Sequence, residues 1–135
     1  MIIIGEKING SIPAVGTAIA ERDDEIIRAR VRAQAAAGAD YIDCAASTES
    51  ELEYDAMRWL IDIIQSETDL PICIDSPDAS LLARLIEEGV LKRPGMVNSV
   101  SLEGDKCDRV FPLIAGTDWN VIGLTCDNDS IPSNP

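Results

Sequence analysis

Five stretches of the chain place a polar side chain directly behind a short apolar run. Ile72-Cys73-Ile74 ends in Asp75 and Ser76, Tyr41-Ile42 in Asp43, and Met96-Val97 in Asn98 and Ser99. Val121-Ile122-Gly123-Leu124 runs out into Thr125 and Asp127, and Ile2-Ile3-Ile4-Gly5 is followed by Glu6 and Asn9. A buried parallel strand delivers functional groups to the rim of a sheet in this way. A carboxylate accepts two parallel N–H bonds from a planar amidine-like edge, and a carboxamide donates and accepts at once. Such a rim suits a flat heterocycle with that edge, of which the aminopyrimidinone ring of a pterin is an example. The competing reading of each residue is local: Asp75 caps the turn before Pro77, and Asn98 ties down its own loop. The two readings are evenly matched for a single residue, and the set as a whole weighs against the local one.

Several chemistries have no residues to carry them. Histidine is absent, which removes the commonest general base near neutral pH and the commonest metal ligand. Neither G-x-x-x-x-G-K nor G-x-G-x-x-G occurs, so nucleoside triphosphates and dinucleotides are poor ligands. Cys44, Cys73, Cys107 and Cys126 form no C-x-x-C pair. Three of them fall at or beside strand ends, but a thiolate metal site is the minority reading, because small buried thiols are ordinary core residues. No metal is expected.

The elements that position these groups follow from periodicity and caps. Strands are expected at Ile2–Ile4, Tyr41–Cys44, Ile72–Asp75, Met96–Val100 and Val121–Thr125. The first loop is expected to continue to about Arg22. A helix then begins at Asp23-Asp24-Glu25, whose charges favour the dipole, and is capped by Gly38. In the next helix, capped by Thr48 or Ser50, the positions Ala56, Trp59, Leu60, Ile63 and Ile64 make an apolar stripe. Asp78 caps a third, with Ala79, Leu82, Leu85 and Ile86 inward and Gly89 as its stop. A fourth is expected from Glu103 to Lys106 onward, with Pro112 awkward in its interior. Five strands alternating with four helices imply an α/β fold with parallel pairing.

Length and charge narrow the partners. The 135 residues are 46% hydrophobic, which suits one domain with a real core. A net charge of -13 repels phosphate backbones and anionic lipid, so neither nucleic acid nor a membrane surface is an expected partner. The N-terminus has no basic stretch before an apolar one, and no apolar run approaches membrane-spanning length, so a cytoplasmic location is expected. Ser133-Asn134-Pro135 reads as a helix start, which gives the chain the look of one cut short.

The segments Ile4-Gly5-Glu6-Lys7-Ile8-Asn9-Gly10, Ile42-Asp43, Cys73-Ile74-Asp75-Ser76, Met96-Val97-Asn98-Ser99 and Ile122-Gly123-Leu124-Thr125, with Ile131-Pro132, carry a family resemblance. In order and spacing they resemble the methyltetrahydrofolate:corrinoid/iron-sulfur protein methyltransferases, within the pterin-binding barrels that include dihydropteroate synthase. The resemblance implies a (βα)8 TIM barrel, of which residues 1–135 are the N-terminal part of the pterin-binding domain. It implies that Asp75 hydrogen-bonds the pterin, that Asn98 contacts the ring near N5 as the catalytic residue, and that Asp43 supports them. Ser99 and Asn9 complete the expected folate contacts. The methyl group of 5-methyltetrahydrofolate would pass to cobalt(I) of a corrinoid (iron-sulfur) protein, and a homodimer is expected. Ala45 stands where the family often has asparagine, and Ser130 where glycine is usual. Two other readings stay open: a dihydropteroate synthase-like enzyme and a noncatalytic pterin-binding half-barrel. A complete five-stranded doubly wound domain is a further architecture that the same elements allow.

Overall fold

A computed structural model of the chain describes residues 1–126 and 128. Asp127, Ser130, Ile131-Pro132 and the helix start read at Ser133-Asn134-Pro135 lie outside the described residues. Five strands, β1 (Ile4–Asn9), β2 (Tyr41–Ala45), β3 (Ile72–Asp75), β4 (Met96–Val100) and β5 (Asn120–Gly123), alternate with helices. The helices are α1 (Pro13–Glu21), α2 (Asp24–Ala36), α3 (Ser50–Glu67), α4 (Ala79–Glu87) and α5 (Lys106–Ile114).

All pairings are parallel, and the strand order is β1-β2-β3-β4-β5. A doubly wound sheet reverses its order at a switch point, whereas strands added one after another are the pattern of a barrel. The observed order removes the doubly wound alternative. The sheet also curls: the Asn120 Nδ2 of β5 donates to the Tyr41 hydroxyl of β2 at 3.0 Å, across two intervening strands.

One face of the sheet carries the core. Ile42, Cys44, Ile74 and Val97 are fully buried and pack with Ile27 and Val31 of α2, Met57, Leu60, Ile61 and Ile64 of α3, and Leu82 and Leu85 of α4. The stripe expected on α3 holds except that Trp59 is only partly buried, and Met57 and Ile61 complete it. Arg22 stacks its guanidinium over the Trp59 ring at 5.0 Å, which explains that partial cover.

Local signals explain most of the helix ends. Asp23 accepts from the Glu25 N–H and Asp78 from the Ser80 N–H, so both act as N-caps. Gly38 follows α2 with φ +87, the left-handed conformation that ends a helix at low cost. The cap of α3 is Glu49, without a side-chain bond, and neither Thr48 nor Ser50 holds that place.

Three further expectations are corrected. There are five helices, because the first loop contains α1. Its Gly16, Thr17 and Val15 are weak helix formers, but Pro13 occupies its first turn and Val15, Ala18 and Ile19 are buried at helical spacing. The last helix starts at Lys106 and accommodates Pro112 in its interior. The first strand runs from Ile4 to Asn9 and not over Ile2–Ile4. Ile3 is held outside it by reciprocal bonds with Asp40, from the Ile3 N–H to the carboxylate and from the Asp40 N–H to the Ile3 carbonyl, both 2.7 Å. Among the described residues no helix is long and apolar enough to cross a membrane.

Candidate functional site

Register decides which side chains share the inner face of the curled sheet. Asp43 lies opposite Cys73, Cys73 opposite Met96, and Asp75 opposite Asn98. Paired residues project to the same side, and so do alternate residues along a strand. Asp43, Cys73, Asp75, Met96 and Asn98 therefore face inward, opposite to the packed Ile42, Cys44, Ile74 and Val97. Asp43, Asp75 and Asn98 cluster toward the carboxyl ends of their strands, where open and closed α/β sheets hold their sites.

Asp43 is the most enclosed of them, with 2% of its surface exposed. The Asn98 Nδ2 reaches over β3 and donates to its Oδ1 at 3.3 Å. Burial pushes the Asp43 carboxyl from 3.8 up to about 6, against the hydrogen bonds from Asn98 and Cys73, which favour the carboxylate. Burial, followed by the Asp43 charge, pushes the Cys73 thiol well above its usual range, so Cys73 stays protonated and serves Asp43 as a donor. Asp75 is also raised, first by burial and then by the charges of Glu6 and Glu53.

Among the described residues no cation offsets these shifts. The ion pairs among the described residues join surface groups such as Arg28 with Glu67 and Arg84 with Glu88, and none includes Asp43 or Asp75. Turn capping does not occupy Asp75 either. The turn after β3 is tied by Ser76, whose hydroxyl donates to the buried Glu53 at 2.8 Å and accepts from the Asp78 N–H at 3.0 Å. The Ser76 N–H donates to the Asn98 carbonyl at 3.2 Å, which locks this turn to β4. Among the described residues no donor hydrogen-bonds the half-buried Asp75 carboxylate, which the register places on the inner face.

The remaining expected contacts are placed differently. Asn9 lies on the rim opposite Ala45, but its Oδ1 accepts from the Ser11 N–H at 2.9 Å and the Ser47 hydroxyl at 3.1 Å. It thus braces the loop after β1 against the loop after β2. Ser99 follows Asn98 where the register with β5 slips, and its hydroxyl bonds none of Asp43, Asp75 and Asn98. Thr125 is exposed beyond β5. Asp75, Asn98 and Asp43 are brought together; Ser99, Asn9 and Thr125 stand around them.

Two contributors to the site are not among the residues expected from the sequence. Local pattern makes Cys73 an ordinary core thiol, yet its register partner Asp43 makes it a wall of the site. Glu53 is 6% exposed on α3, and its signal was available: it precedes Ala56 and Met57 by three and four residues on the buried stripe. No group of three or more Cys, Asp or Glu side chains among the described residues has the spacing to hold a metal ion.

Two carboxyls and a carboxamide on one inner face, with no cation paired to them among the described residues, fit a planar ligand edge rich in N–H donors. A family described as pterin binding enzyme matches residues 15–134. A methylcorrinoid:tetrahydrofolate methyltransferase of Eubacterium limosum is 49% identical over 135 residues, covering 98% of this chain and 49% of that protein. The chain thus spans about half the length of the curated relative it matches. With its sequential parallel sheet and a match over residues 15–134, the chain belongs to the pterin-binding enzyme family.

Proposed function

We propose that the protein carrying this chain is a methyltransferase that moves a methyl group between N5 of a tetrahydrofolate and the cobalt of a corrinoid protein. The observation that carries this reading is the pairing of Asp75 with Asn98 on the inner face, beside a buried Asp43 and without a cation. On this reading residues 1–135 form the N-terminal part of the pterin-binding domain.

Asp75 holds the donor edge of the pterin through its open carboxylate. Asn98 spends its Nδ2 on Asp43, which leaves Oδ1 for the ring near N5. An amide oxygen there accepts an N5–H bond and so favours positive character at N5, which a tertiary amine needs before its methyl can leave. Asp43 and Cys73 fix the amide in that orientation. Ser99 and Asn9 line the outer rim. The corrinoid, carried by a partner protein that includes an iron-sulfur centre, supplies the cobalt that takes or gives the methyl. The relative's name writes the direction from methylcorrinoid to tetrahydrofolate. A site that stabilises one transition state serves both directions, and cofactor supply sets which one runs. The protein acts in the cytoplasm as a homodimer in one-carbon metabolism.

A dihydropteroate synthase reading has less support, since it must also hold a pyrophosphate. Lys106 and Arg109, near the rim at the start of α5, are paired with Glu103 and Asp105. The deciding experiment mixes the whole protein with a methylated corrinoid protein and tetrahydrofolate. Loss of the methylcobalt absorbance together with formation of 5-methyltetrahydrofolate is expected, and an unchanged corrinoid spectrum with no methylated folate would sink the assignment.

A further inference from the structure

We infer that Glu53 is a positioning residue of the inner-face site, which anchors the turn after β3 so that Asp75 and Asn98 meet a ligand edge as one unit. That the edge belongs to a folate rests on the function proposed above. The anchoring does not, so either can fail alone.

Ser76 joins the two faces of the sheet. Asp75 points inward, so the side chain that follows it points outward, toward α3. There the Ser76 hydroxyl donates to Glu53 Oε1 at 2.8 Å and accepts the Asp78 N–H at 3.0 Å, while the Ser76 backbone N–H donates to the Asn98 carbonyl at 3.2 Å. One serine thus links α3, the cap of α4, β3 and β4. A shift of Ser76 moves Asp75 through the chain and Asn98 through a single hydrogen bond.

Packing alone does not account for Glu53. It is buried on a stripe whose other members, such as Ala56, Met57 and Leu60, are apolar. Among the described residues its carboxylate accepts from the Ser76 hydroxyl alone and joins no ion pair. A buried carboxylate with one hydroxyl donor and no cation costs stability. Its place in the first turn of α3, where the helix dipole favours negative charge, lowers that cost without removing it. The charge is felt at Asp75, whose carboxyl is raised by burial, then by Glu6 of β1, then by Glu53. Asp43 of β2 and Cys73 of β3 share the inner face with Asp75, β4 adds no titratable group there, and Asp78 spends its carboxylate on the Ser80 N–H. A carboxylate crowded by like charge gains more from the N–H donors of a ligand.

Two readouts on the whole protein separate this role from packing. Carboxyl NMR of the ligand-free protein follows the titration of Asp75, assigned by its loss in Asp75→Asn. Glu53→Gln keeps an acceptor for Ser76 and removes the charge, so it is expected to move that titration to lower pH. Calorimetry with tetrahydrofolate reads the anchor. Glu53→Ala is expected to raise the Kd about tenfold, and Glu53→Gln to recover most of that loss. An Asp75 titration unmoved in Glu53→Gln, or a Kd in Glu53→Ala within about twofold of the parent, overturns the inference. A titration that moves in a protein whose parent form binds no folate supports the anchoring and overturns the folate reading instead.

Discussion

The two faces of this sheet are built by opposite rules. On the helix-covered face, Ile42, Ile74 and Val97 are fully buried among aliphatic side chains. On the inner face, the same strands place Asp43, Asp75 and Asn98 a single residue away from those positions, with carboxyls that burial drives toward neutrality. The first face stabilises the fold by removing apolar surface from water. The second holds polar groups in an environment that costs stability until a ligand supplies their partners. Stability and function are thus separated by the twofold alternation of a strand.

Substitutions that strike one face at a time test this separation. The largest loss of stability is expected from Ile74→Ala, which opens a cavity on the packed face and costs about 2–5 kcal/mol in chemical denaturation. An effect under about 1 kcal/mol would mean the packed face is not where the fold energy resides.

The inner face should behave in the opposite sense. Asp43 binds its proton more tightly when folded, so its burial weakens the fold above about pH 6, where the native state must hold the carboxylate. That cost shrinks as pH falls through the window from about 6 to 3.8 and is absent below it. Moving the carboxyl from 3.8 to about 6 corresponds to roughly 3 kcal/mol. Asp43→Asn should therefore raise the stability of the ligand-free protein at pH 8 by up to that amount and flatten its dependence on pH between 4 and 6. It should also weaken folate binding, because Asn98 loses a charged acceptor. A variant less stable than the parent at pH 8 would break the comparison.

Asp75→Ala is expected to leave the unfolding midpoint almost unchanged while raising the folate Kd about 10- to 100-fold in calorimetry, or about 1.4–3 kcal/mol. Unchanged affinity would return Asp75 to a passive place on the rim. The smallest effect is expected far from both faces. Asp69 is fully exposed beside Arg93, which holds its carboxyl below the usual range. Asp69→Asn should leave both melting temperature and folate affinity within error of the parent.

Much of this arrangement is legible in the chain itself. The stripe of α3, the Asp78 cap and the strand Ile72–Asp75 depend on neighbours within a few residues, and local spacing reports them. Weak helix formers mask α1 in the sequence, although Pro13 and the Val15, Ala18, Ile19 spacing announce it. Glu6 and Lys7 have the composition of a loop, whereas pairing with β2 extends β1 through them. Glu53 and Cys73 entered the site through packing and register, which link residues tens of positions apart.

By itself, the sequence determined that Asp43, Asp75 and Asn98 arrive at strand ends and that no histidine or phosphate-binding loop accompanies them. These are properties of composition and local pattern. Tertiary structure alone decided that the Asn98 amide turns its nitrogen to Asp43, that Cys73 walls the site, and that the Ser76 N–H ties the turn after β3 to β4. The physical reason is that each of these depends on parallel register and sheet curl, which bring distant backbone segments within hydrogen-bonding reach and which no local spacing encodes.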